Sequence, residues 1–565
     1  MQFPGKEELF DSVMTVSYTK LKKAAFFCLA LPSCVFMLGF VRWYIGIPVT
    51  LLIAAAYFFT VRDTRRDTDR VISLPVSYIV ILGAVVVLWC YLSGLGNLYY
   101  QSSDWSARNA IFRDLITHKW PVVYEAKDAA LVYYIGYWLP AAVIGKAIFL
   151  TTGNLDIAWY SGNACLWMWS AVCIFITILM VMILVGASNK KRFWIALTVF
   201  IFFSGLDIIG TLINNWVWGI GIPNHIEWWT KFQFSSMATC LGWVFNQAVP
   251  SWIATACFLG EKNTRNYAFL AVFCAVSAPL PAIGLALYMI GYAVYLLINA
   301  IKEKQVKQFA SDVATPQNII PAIAVFPIFL LYYKTNLAVN VGQGGNTSFS
   351  PSYGAIIFIA AVSVIFYAIM IIRQKRSESY TEYAFLGTVA LLIGAFAFIN
   401  TTIKLNYLAF IFLECMIYLF IIMSDNRKNP LFYLSFIVMA LCPVIHVGTD
   451  ADFCMRASIP LVFILMTMCL RYLFENRKNL SSFVNPAKTI SCWLLIVSLL
   501  IGSVTACKEF KRGFDAVKDN KKLNVVNDST YTFERIFTGS AEGTDRNFIA
   551  TNYEETAFFK YIAKK

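Results

Sequence analysis

Long apolar segments recur along this chain and restrict what it can fold into. A bilayer offers no water to backbone N–H and C=O groups, so apolar segments of helical length cross it as α-helices. Only 14% of the residues are charged, whereas soluble domains carry about 25%. We therefore predict an all-α integral membrane protein. The predicted spans are 24–42, 45–61, 72–93, 160–187, 194–213, 235–260, 268–279, 281–299, 318–333, 353–372, 383–399, 406–423, 430–447, 459–473 and 490–506.

Basic residues divide the connections between these spans into two classes. Clusters such as 190–192 and 373–376 fall at every second connection, and Lys and Arg mark the cytoplasmic side. The pattern predicts a multi-pass protein with a cytoplasmic N-terminus and an extracytoplasmic C-terminus. The apolar segment 129–150 fits this pattern only if it does not cross the membrane. We therefore predict a re-entrant or interfacial helix there, inside a large outer loop at 94–158.

The chain divides into a polytopic transmembrane domain, 1–506, and a short extracytoplasmic tail, 507–565. The net charge is +14, but the basic residues lie between spans and form no basic domain, which argues against a nucleic-acid partner. The cysteines lie mostly in apolar segments and show no CxxC or Cys/His spacing, and the chain has 3 histidines. We therefore predict no metal site. A divalent cation is compatible with the acidic outer loops but is not required by them.

The start of the outer loop combines a carboxylate with an amphipathic helix. Trp105, Phe112 and Ile116 recur near helical spacing, which predicts a helix lying in the plane of the membrane interface. Asp104 and Arg108 are four residues apart and share one face of it. Two interpretations are open at this point. The pair is either an ordinary ion pair on a surface helix, or it supplies a carboxylate base to a cavity at the membrane surface.

The same loop resembles a known family. The stretches concerned are DWSARNAIFRDLITHKWPVV at 104–123 and KDAALVYY at 127–134. They are similar to the first outer loop of GT-C glycosyltransferases, with the lipid A aminoarabinose transferases and protein O-mannosyltransferases as the nearest comparisons. Those enzymes place an acidic residue before an interfacial helix, then a Trp-Pro-like turn, although their Pro-Pro pair is absent here. The resemblance implies a GT-C-like bundle of roughly 13–15 transmembrane helices, with interfacial helices in a large first extracytoplasmic loop.

The resemblance also implies an activity. GT-C enzymes move a sugar from a polyprenyl-phosphate donor to an acceptor at the outer face of the membrane. By this resemblance Asp104 is the catalytic base and Lys127 contacts the donor phosphate. A base that acts opposite the leaving group gives inversion. The implied partners are the polyprenyl-phosphate-linked sugar, a glycan or lipid acceptor and membrane lipids, and the implied location is the cell membrane.

Two arginines are further candidate ligands for the donor phosphate. Arg456 lies near the start of an outer helix and Arg108 follows Asp104 by one turn. A guanidinium binds phosphate through two N–H groups and stabilises charge that grows on it. The alternative for Arg456 is a local ion pair with an aspartate. Candidate substrate-binding residues, each with a structural alternative such as a hydrogen bond to a neighbouring helix, are Asp207, His225, Glu227, Trp228, Asn246, Gln247 and Asp452.

Other membrane functions fit parts of this pattern. A transporter or flippase of lipid-linked glycans handles the same donors, and so does a polysaccharide polymerase or ligase. Glu414 lies in the middle of the predicted span 406–423. A proton-coupled carrier needs such a carboxyl group, whereas hydrogen bonding between helices is the simpler explanation. The resemblance of the outer loop favours the glycosyltransferase.

Overall fold

α-Helices make up nearly all of the regular structure in the described part of the chain. Eight of them are long and apolar enough to cross a membrane, and the bent pair Lys190–Phe202 and Asp207–Asn215 is a ninth candidate. This confirms the prediction of an all-α, multi-pass membrane protein. Two of the predicted spans, 353–372 and 383–399, lie outside the described residues. The computed structural model describes residues 12–66, 69–218, 221–336, 404–445, 452–478, 486–526 and 547–565.

Short connections join the helices, and the strands are two to five residues long. The N-terminal half contains β1 (Val13–Ser17), α1 (Tyr18–Phe40), α2 (Trp43–Asp63), β2 (Val71–Pro75), α3 (Val76–Leu92), α4 (Trp105–Thr117), β3 (Val123–Tyr124), β4 (Ala129–Leu131), α5 (Leu139–Thr152), α6 (Leu155–Val185), α7 (Lys190–Phe202), α8 (Asp207–Trp218), α9 (Met237–Gly260) and α10 (Tyr267–Ala275). The C-terminal half contains α11 (Pro279–Lys302), α12 (Val306–Val313), α13 (Pro316–Ile320), α14 (Phe326–Lys334), α15 (Lys404–Ile411), α16 (Ile417–Ile422), α17 (Pro430–Leu441), α18 (Asp452–Ala457), α19 (Ile459–Glu475), α20 (Pro486–Asn520) and β5 (Ile549–Thr551).

At one end of the bundle, ion pairs join connections that are distant in the sequence. There Lys22 pairs with Glu261 at 2.9 Å, and Arg265 pairs with Asp63 at 2.8 Å. We call this the basic end, because Lys and Arg side chains from several connections meet there. The opposite end carries residues 93–154 and is called the loop end. These pairs hold together connections that lie far apart in the sequence.

Helices α3 and α6 are antiparallel neighbours. The Trp167 indole N–H donates to the Val87 carbonyl at 3.0 Å, and Phe175 lies beside Gly83. Because α3 and α6 run in opposite directions, the chain between them starts and finishes at the loop end. The helical stretch Ile135–Thr152 meets the length and apolarity of a span, but it adds no net crossing between α3 and α6.

A tight turn folds α5 back onto α6, and the two helices together form the surface on which α4 packs. Gly153 takes the left-handed conformation with φ +67°, and Asn154 caps α6 by accepting hydrogen bonds from two backbone N–H groups, as is typical of helix ends. On the faces of α5 and α6, Gly145 and Gly162 both meet Ile116 of α4. The absence of side chains at these glycines lets α4 lie close against both helices.

The C-terminal residues pack on the loop end. Strand β5 pairs antiparallel with β4, which pairs with β3 in the same small sheet. Val41 forms a bridge with Ala563 beyond the end of α1. Strands β1 and β2, which immediately precede α1 and α3, form a two-stranded antiparallel sheet at the basic end. The first and last described residues therefore lie at opposite ends of the bundle. Position 506, the predicted end of the transmembrane domain, lies inside α20.

Close packing of α11 on α18 depends on Gly284. A Cβ atom at this position would lie 1.9 Å from the backbone oxygen of Ala457, and a backbone atom cannot move aside cheaply. We expect Gly284→Ala to lower the free energy of unfolding by about 1–3 kcal/mol or more, measured by thermal unfolding in detergent. Gly83→Ala is the matched control, because its nearest neighbour would be 3.9 Å away. Equal stability of the two variants would contradict this packing.

Candidate functional site

The predicted pair of Asp104 and Arg108 forms at the start of α4. Asp104 immediately precedes α4 and makes no side-chain capping bond, so its carboxylate is free to pair with Arg108 one turn later. The Arg108 Nη2 atom lies 3.1 Å from the Asp104 Oδ2 atom. Arg108 is 5% exposed and Asp104 is 49% exposed. The carboxylate is therefore accessible from outside, and the guanidinium lies beneath it.

A second ion pair forms in α18. Arg456 Nη2 lies 3.2 Å from Asp452 Oδ1, again at a spacing of four residues. Arg456 is 11% exposed. Arg456 therefore has the local aspartate partner that was the structural alternative to a phosphate ligand. Local pairing and ligand binding are compatible, because a guanidinium has five N–H groups.

The two ion pairs meet at a pair of tyrosines. The charges that act most strongly on the Tyr133 hydroxyl are those of Arg456, Arg108, Asp452 and Asp104. The neighbouring Tyr134 hydroxyl accepts a hydrogen bond from Arg456, and burial raises the pKa of Tyr134 to about 12. We call Asp104, Arg108, Asp452 and Arg456 the arginine–aspartate quartet. It joins two segments that are far apart in the sequence, and its formal charges cancel.

Several guanidinium donors in the quartet point at no acceptor. The Nε and Nη1 atoms of Arg108 and the Nε atom of Arg456 are buried without a hydrogen-bond partner among the described residues. A buried charged donor left unpaired costs more free energy than a neutral one. Retaining three such donors beside an accessible carboxylate is typical of a site that receives an anionic group.

A kink in α9 positions the start of α4, where Asp104 and Arg108 lie. At Val244 the backbone leaves helical geometry, with φ −135° and ψ 37°. The Trp105 indole N–H donates to the Gly242 carbonyl at 2.8 Å, just before the kink, and its ring stacks on Phe245 with centroids 5.0 Å apart, just after it. Trp105 follows Asp104 directly, so the position of Asp104 is set by α9.

A second polar cluster lies on the other side of this kink. The Nδ1 atom of His225 is 2.7 Å from Glu509, and its Nε2 atom is 3.2 Å from Glu227. The Trp243 indole N–H donates to Glu509 at 2.9 Å, and Arg512 pairs with Glu509 at 3.1 Å. We call these five residues the His225 network. It connects the loop before α9 to the C-terminal part of α20.

Glu227 is the most fully satisfied carboxylate of the network. It accepts hydrogen bonds from the Gln233 amide, the Ser236 backbone N–H and the Thr239 hydroxyl at 2.6–2.9 Å, in addition to facing His225. These donors fix the position of the carboxylate beside His225. Next to the network is an open cavity of about 30 Å³, lined by Leu92, Ser93, Tyr100, Ser102, Ala238, Gly242, Trp243, Glu509 and Phe510.

The pKa of His225 gives a testable pH dependence. Burial lowers it, but hydrogen bonds with Glu227 and Glu509 and their charges outweigh burial and raise it from 6.5 to about 10. Because the folded-state pKa is raised, this contribution to stability is full below about pH 6.5 and is lost as the pH rises towards 10. Over this pH window we expect the free energy of unfolding of wild type to fall by on the order of a few kcal/mol relative to that of His225→Gln.

Thermal unfolding followed by tryptophan fluorescence at several pH values measures this difference. His118, which lies at the end of α4 and is 28% exposed, supplies the control substitution His118→Gln. Parallel pH profiles for wild type and His225→Gln would show that His225 is neutral in the fold and would contradict the assignment.

The remaining predicted residues are distributed over several places. Lys127 is exposed in the turn Glu125–Lys127 between β3 and β4, and it is not among the charges acting most strongly on Tyr133. Trp228 is exposed and its ring centroid lies 4.7 Å from that of His225. Asn246 and Gln247 are fully buried in α9, and neither side-chain amide has a partner among the described residues.

Asp207 lies away from the quartet, at the start of α8, where it accepts hydrogen bonds from Ser204 and Thr505. Sequence reasoning missed Glu509 and Arg512 of the His225 network. Their spacing of three residues at the polar end of a long apolar segment was the available signal. Tyr133 and Tyr134 belonged to the stretch that carries the family resemblance, but no role was predicted for them.

Comparison of the chain with known protein families, with characterised proteins and with solved structures finds no match. The functional argument therefore depends on the chain's own residues and on the resemblance of its outer loop.

Proposed function

We propose that this protein is a membrane glycosyltransferase that moves a sugar from a polyprenyl-phosphate donor to an acceptor at the loop end. The observation that carries the proposal is the arginine–aspartate quartet. It combines an accessible carboxylate with two buried guanidinium groups that retain unpaired donors. A transferase of this kind needs both parts, a base for the acceptor and fixed positive charge for the leaving phosphate.

The proposed reaction assigns one role to each part of the quartet. The acceptor hydroxyl attacks the anomeric carbon, a carbon–oxygen bond forms, and the bond to the phosphate oxygen breaks. The hydroxyl proton passes to the Asp104 carboxylate, and the phosphate leaves with the bonding electron pair. Arg108 and Arg456 donate to the phosphate as its charge grows. Attack from the side opposite the leaving group inverts the anomeric configuration.

The positions of the quartet also suit an enzyme that must exclude water from its donor phosphate. Arg456 is 11% exposed, and Tyr133, which follows β4, is buried. In a site of low dielectric, the attraction between guanidinium and phosphate is stronger than in water. No general acid is required, because a phosphate leaves as an anion.

The direct test is transfer by the purified protein. Radiolabelled polyprenyl-phosphate sugars are supplied singly in detergent with a panel of glycan and lipid acceptors, and donor consumption is measured. Turnover of one donor supports the proposal and names the sugar. The same donors in proteoliposomes distinguish the alternative, since a flippase moves the intact donor across the bilayer and leaves its glycosidic bond unbroken.

A further inference from the structure

A break in one helix pair faces a distorted turn in another. Between α7 and α8 the chain bends by 46°, and within this bend the Leu206 backbone N–H donates to the Leu413 carbonyl at 3.2 Å. Leu413 belongs to the π-helical turn Phe412–Met416 between α15 and α16. Such turns are rare and are frequent at functional sites. The two irregular segments bring Asp207 and Glu414 together inside the bundle.

The two carboxyl groups differ in their surroundings. One Asp207 oxygen accepts hydrogen bonds from the Ser204 hydroxyl at 2.9 Å and from the Thr505 hydroxyl at 3.0 Å. Glu414 is 3% exposed, and its carboxyl group faces the Asp207 carboxyl group and the Trp229 side chain. Asp207 has two hydroxyl donors, whereas Trp229 supplies the one donor that faces Glu414 among the described residues.

Glu414 also packs directly against the backbone of Gly205. A Cβ atom on Gly205 would be 1.7 Å from the Glu414 Oε2 atom, so the carboxyl group contacts the glycine directly. Among charged side chains, Asp207 acts most strongly on Glu414, and Glu227 acts on it as well. A second ionised carboxylate here would face the charges of Asp207 and Glu227 with the Trp229 side chain as its donor.

The titratable groups around Glu414 come from several elements. Asp207 faces it from α8 and Glu227 from the turn Ile226–Trp229, while Cys415 and Tyr418 lie close to it on its own helix. Glu227 is compensated by His225 and by three hydrogen-bond donors. Of the three carboxyl groups, Glu414 is therefore the one with the fewest donors facing it.

We propose that Glu414 is a proton-binding site inside the membrane bundle, whose carboxyl O–H donates to the Asp207 carboxylate. Release moves this proton to a carboxylate neighbour, Asp207 or Glu227, and uptake reverses the step, so charge and atoms balance. Glu227 lies next to His225 at 3.2 Å and His225 next to Glu509 at 2.7 Å, and Glu509 lines the open cavity. This row of carboxyl and imidazole groups connects Glu414 to the medium at the loop end.

The site does not depend on the proposed transfer reaction. Rows of Asp, Glu and His inside membrane proteins conduct protons in pumps and transporters. Here the row extends from the cavity into the bundle and reaches the bend between α7 and α8. Loss of the proton would place two carboxylates side by side at this bend and favour their separation. Protonation of Glu414 thus stabilises the packed arrangement of the two irregular segments.

Infrared spectroscopy of the full chain in lipid tests the proposal at neutral pH. Wild type is expected to show the C=O band of a protonated carboxylic acid, shifted in D₂O and absent in Glu414→Gln. Glu475→Gln is the matched control, because Glu475 is 52% exposed at the end of α19, and the band should survive there. A band that persists in Glu414→Gln, or is missing from wild type, would overturn the assignment.

Isotope labelling gives an answer that needs no variant. Carbon-13 in glutamate is expected to shift the band, and carbon-13 in aspartate to leave it in place; the reverse result would move the proton to Asp207. Sodium ions that abolish the band would identify a cation site instead.

His225→Gln is expected to slow hydrogen–deuterium exchange of the band severalfold. Unchanged exchange would overturn the connection to the cavity.

Discussion

Replacing Asp104 by asparagine is expected to reduce the rate of sugar transfer by about 10²–10⁴-fold while the donor still binds. Asn keeps the size of the side chain but cannot accept the acceptor's proton. Asp104 makes no capping bond to α4 and is half exposed, so the substitution should leave stability within ~1 kcal/mol of wild type. Initial rates with saturating donor measure the effect.

Asp128→Asn is the matched control for this substitution. Asp128 is exposed in the same loop and has a left-handed backbone with φ 46°, a conformation that Asn tolerates well. Its transfer rate should equal that of wild type. If Asp104→Asn retained full transfer, the base would have to be sought elsewhere, and the quartet would be a structural ion pair.

The local parts of this site could be predicted from the sequence. Both ion pairs of the quartet join residues four positions apart, so each follows from helical periodicity alone. The apolar periodicity of α4 and its position after the third predicted span were also legible. The contact between the two ion pairs could not be predicted, because it depends on how α4, α9 and α18 pack. Hydrophobic patterns specify which face of a helix is buried but not which distant helix covers it.

The buried carboxyl pair illustrates the same limit. Asp207 and Glu414 were each recognisable as ionisable residues within apolar segments. Their contact depends on a 46° bend and a π-helical turn. The turn Phe412–Met416 contains neither a Pro nor a Gly pair from which the distortion could be predicted. Gly205 is the residue that permits it, since any side chain would displace Glu414. A single glycine among apolar residues gives little warning of such a role.

The boundaries of apolar segments were also only partly informative. Helix α9, Met237–Gly260, agrees closely with the predicted span 235–260. Helix α20 extends through the predicted end of its span to Asn520, because its polar extension contains Lys, Arg, Glu and Ala, which are good helix formers in water. Hydropathy detects where lipid ends and not where a helix ends. Glu509 and Arg512 lie on that polar extension and were therefore assigned to a tail.

Replacing Arg456 by glutamine is expected to weaken donor binding by about 30- to 1,000-fold, which corresponds to ~2–4 kcal/mol. Arg456 contributes a buried positive charge, the hydrogen bond to Tyr134 and an unpaired Nε donor. Arg456→Lys should restore part of the affinity, because a lysine keeps the charge but cannot offer two parallel N–H groups to a phosphate. Titration with the polyprenyl-phosphate sugar measures the dissociation constants.

The Arg456 variant also removes the ion pair with Asp452, so a damaged fold is a second explanation for lost affinity. The double variant Arg456→Gln with Asp452→Asn separates the two effects. Removing both charges leaves no Asp452 carboxylate facing the site of the lost guanidinium and should return the melting temperature close to that of wild type. Donor affinity should stay low, since the guanidinium is still missing. Recovery of affinity together with stability would show that Arg456 holds α18 in place and does not bind phosphate. Arg471→Gln, at an exposed ion pair with Glu475, should change neither quantity.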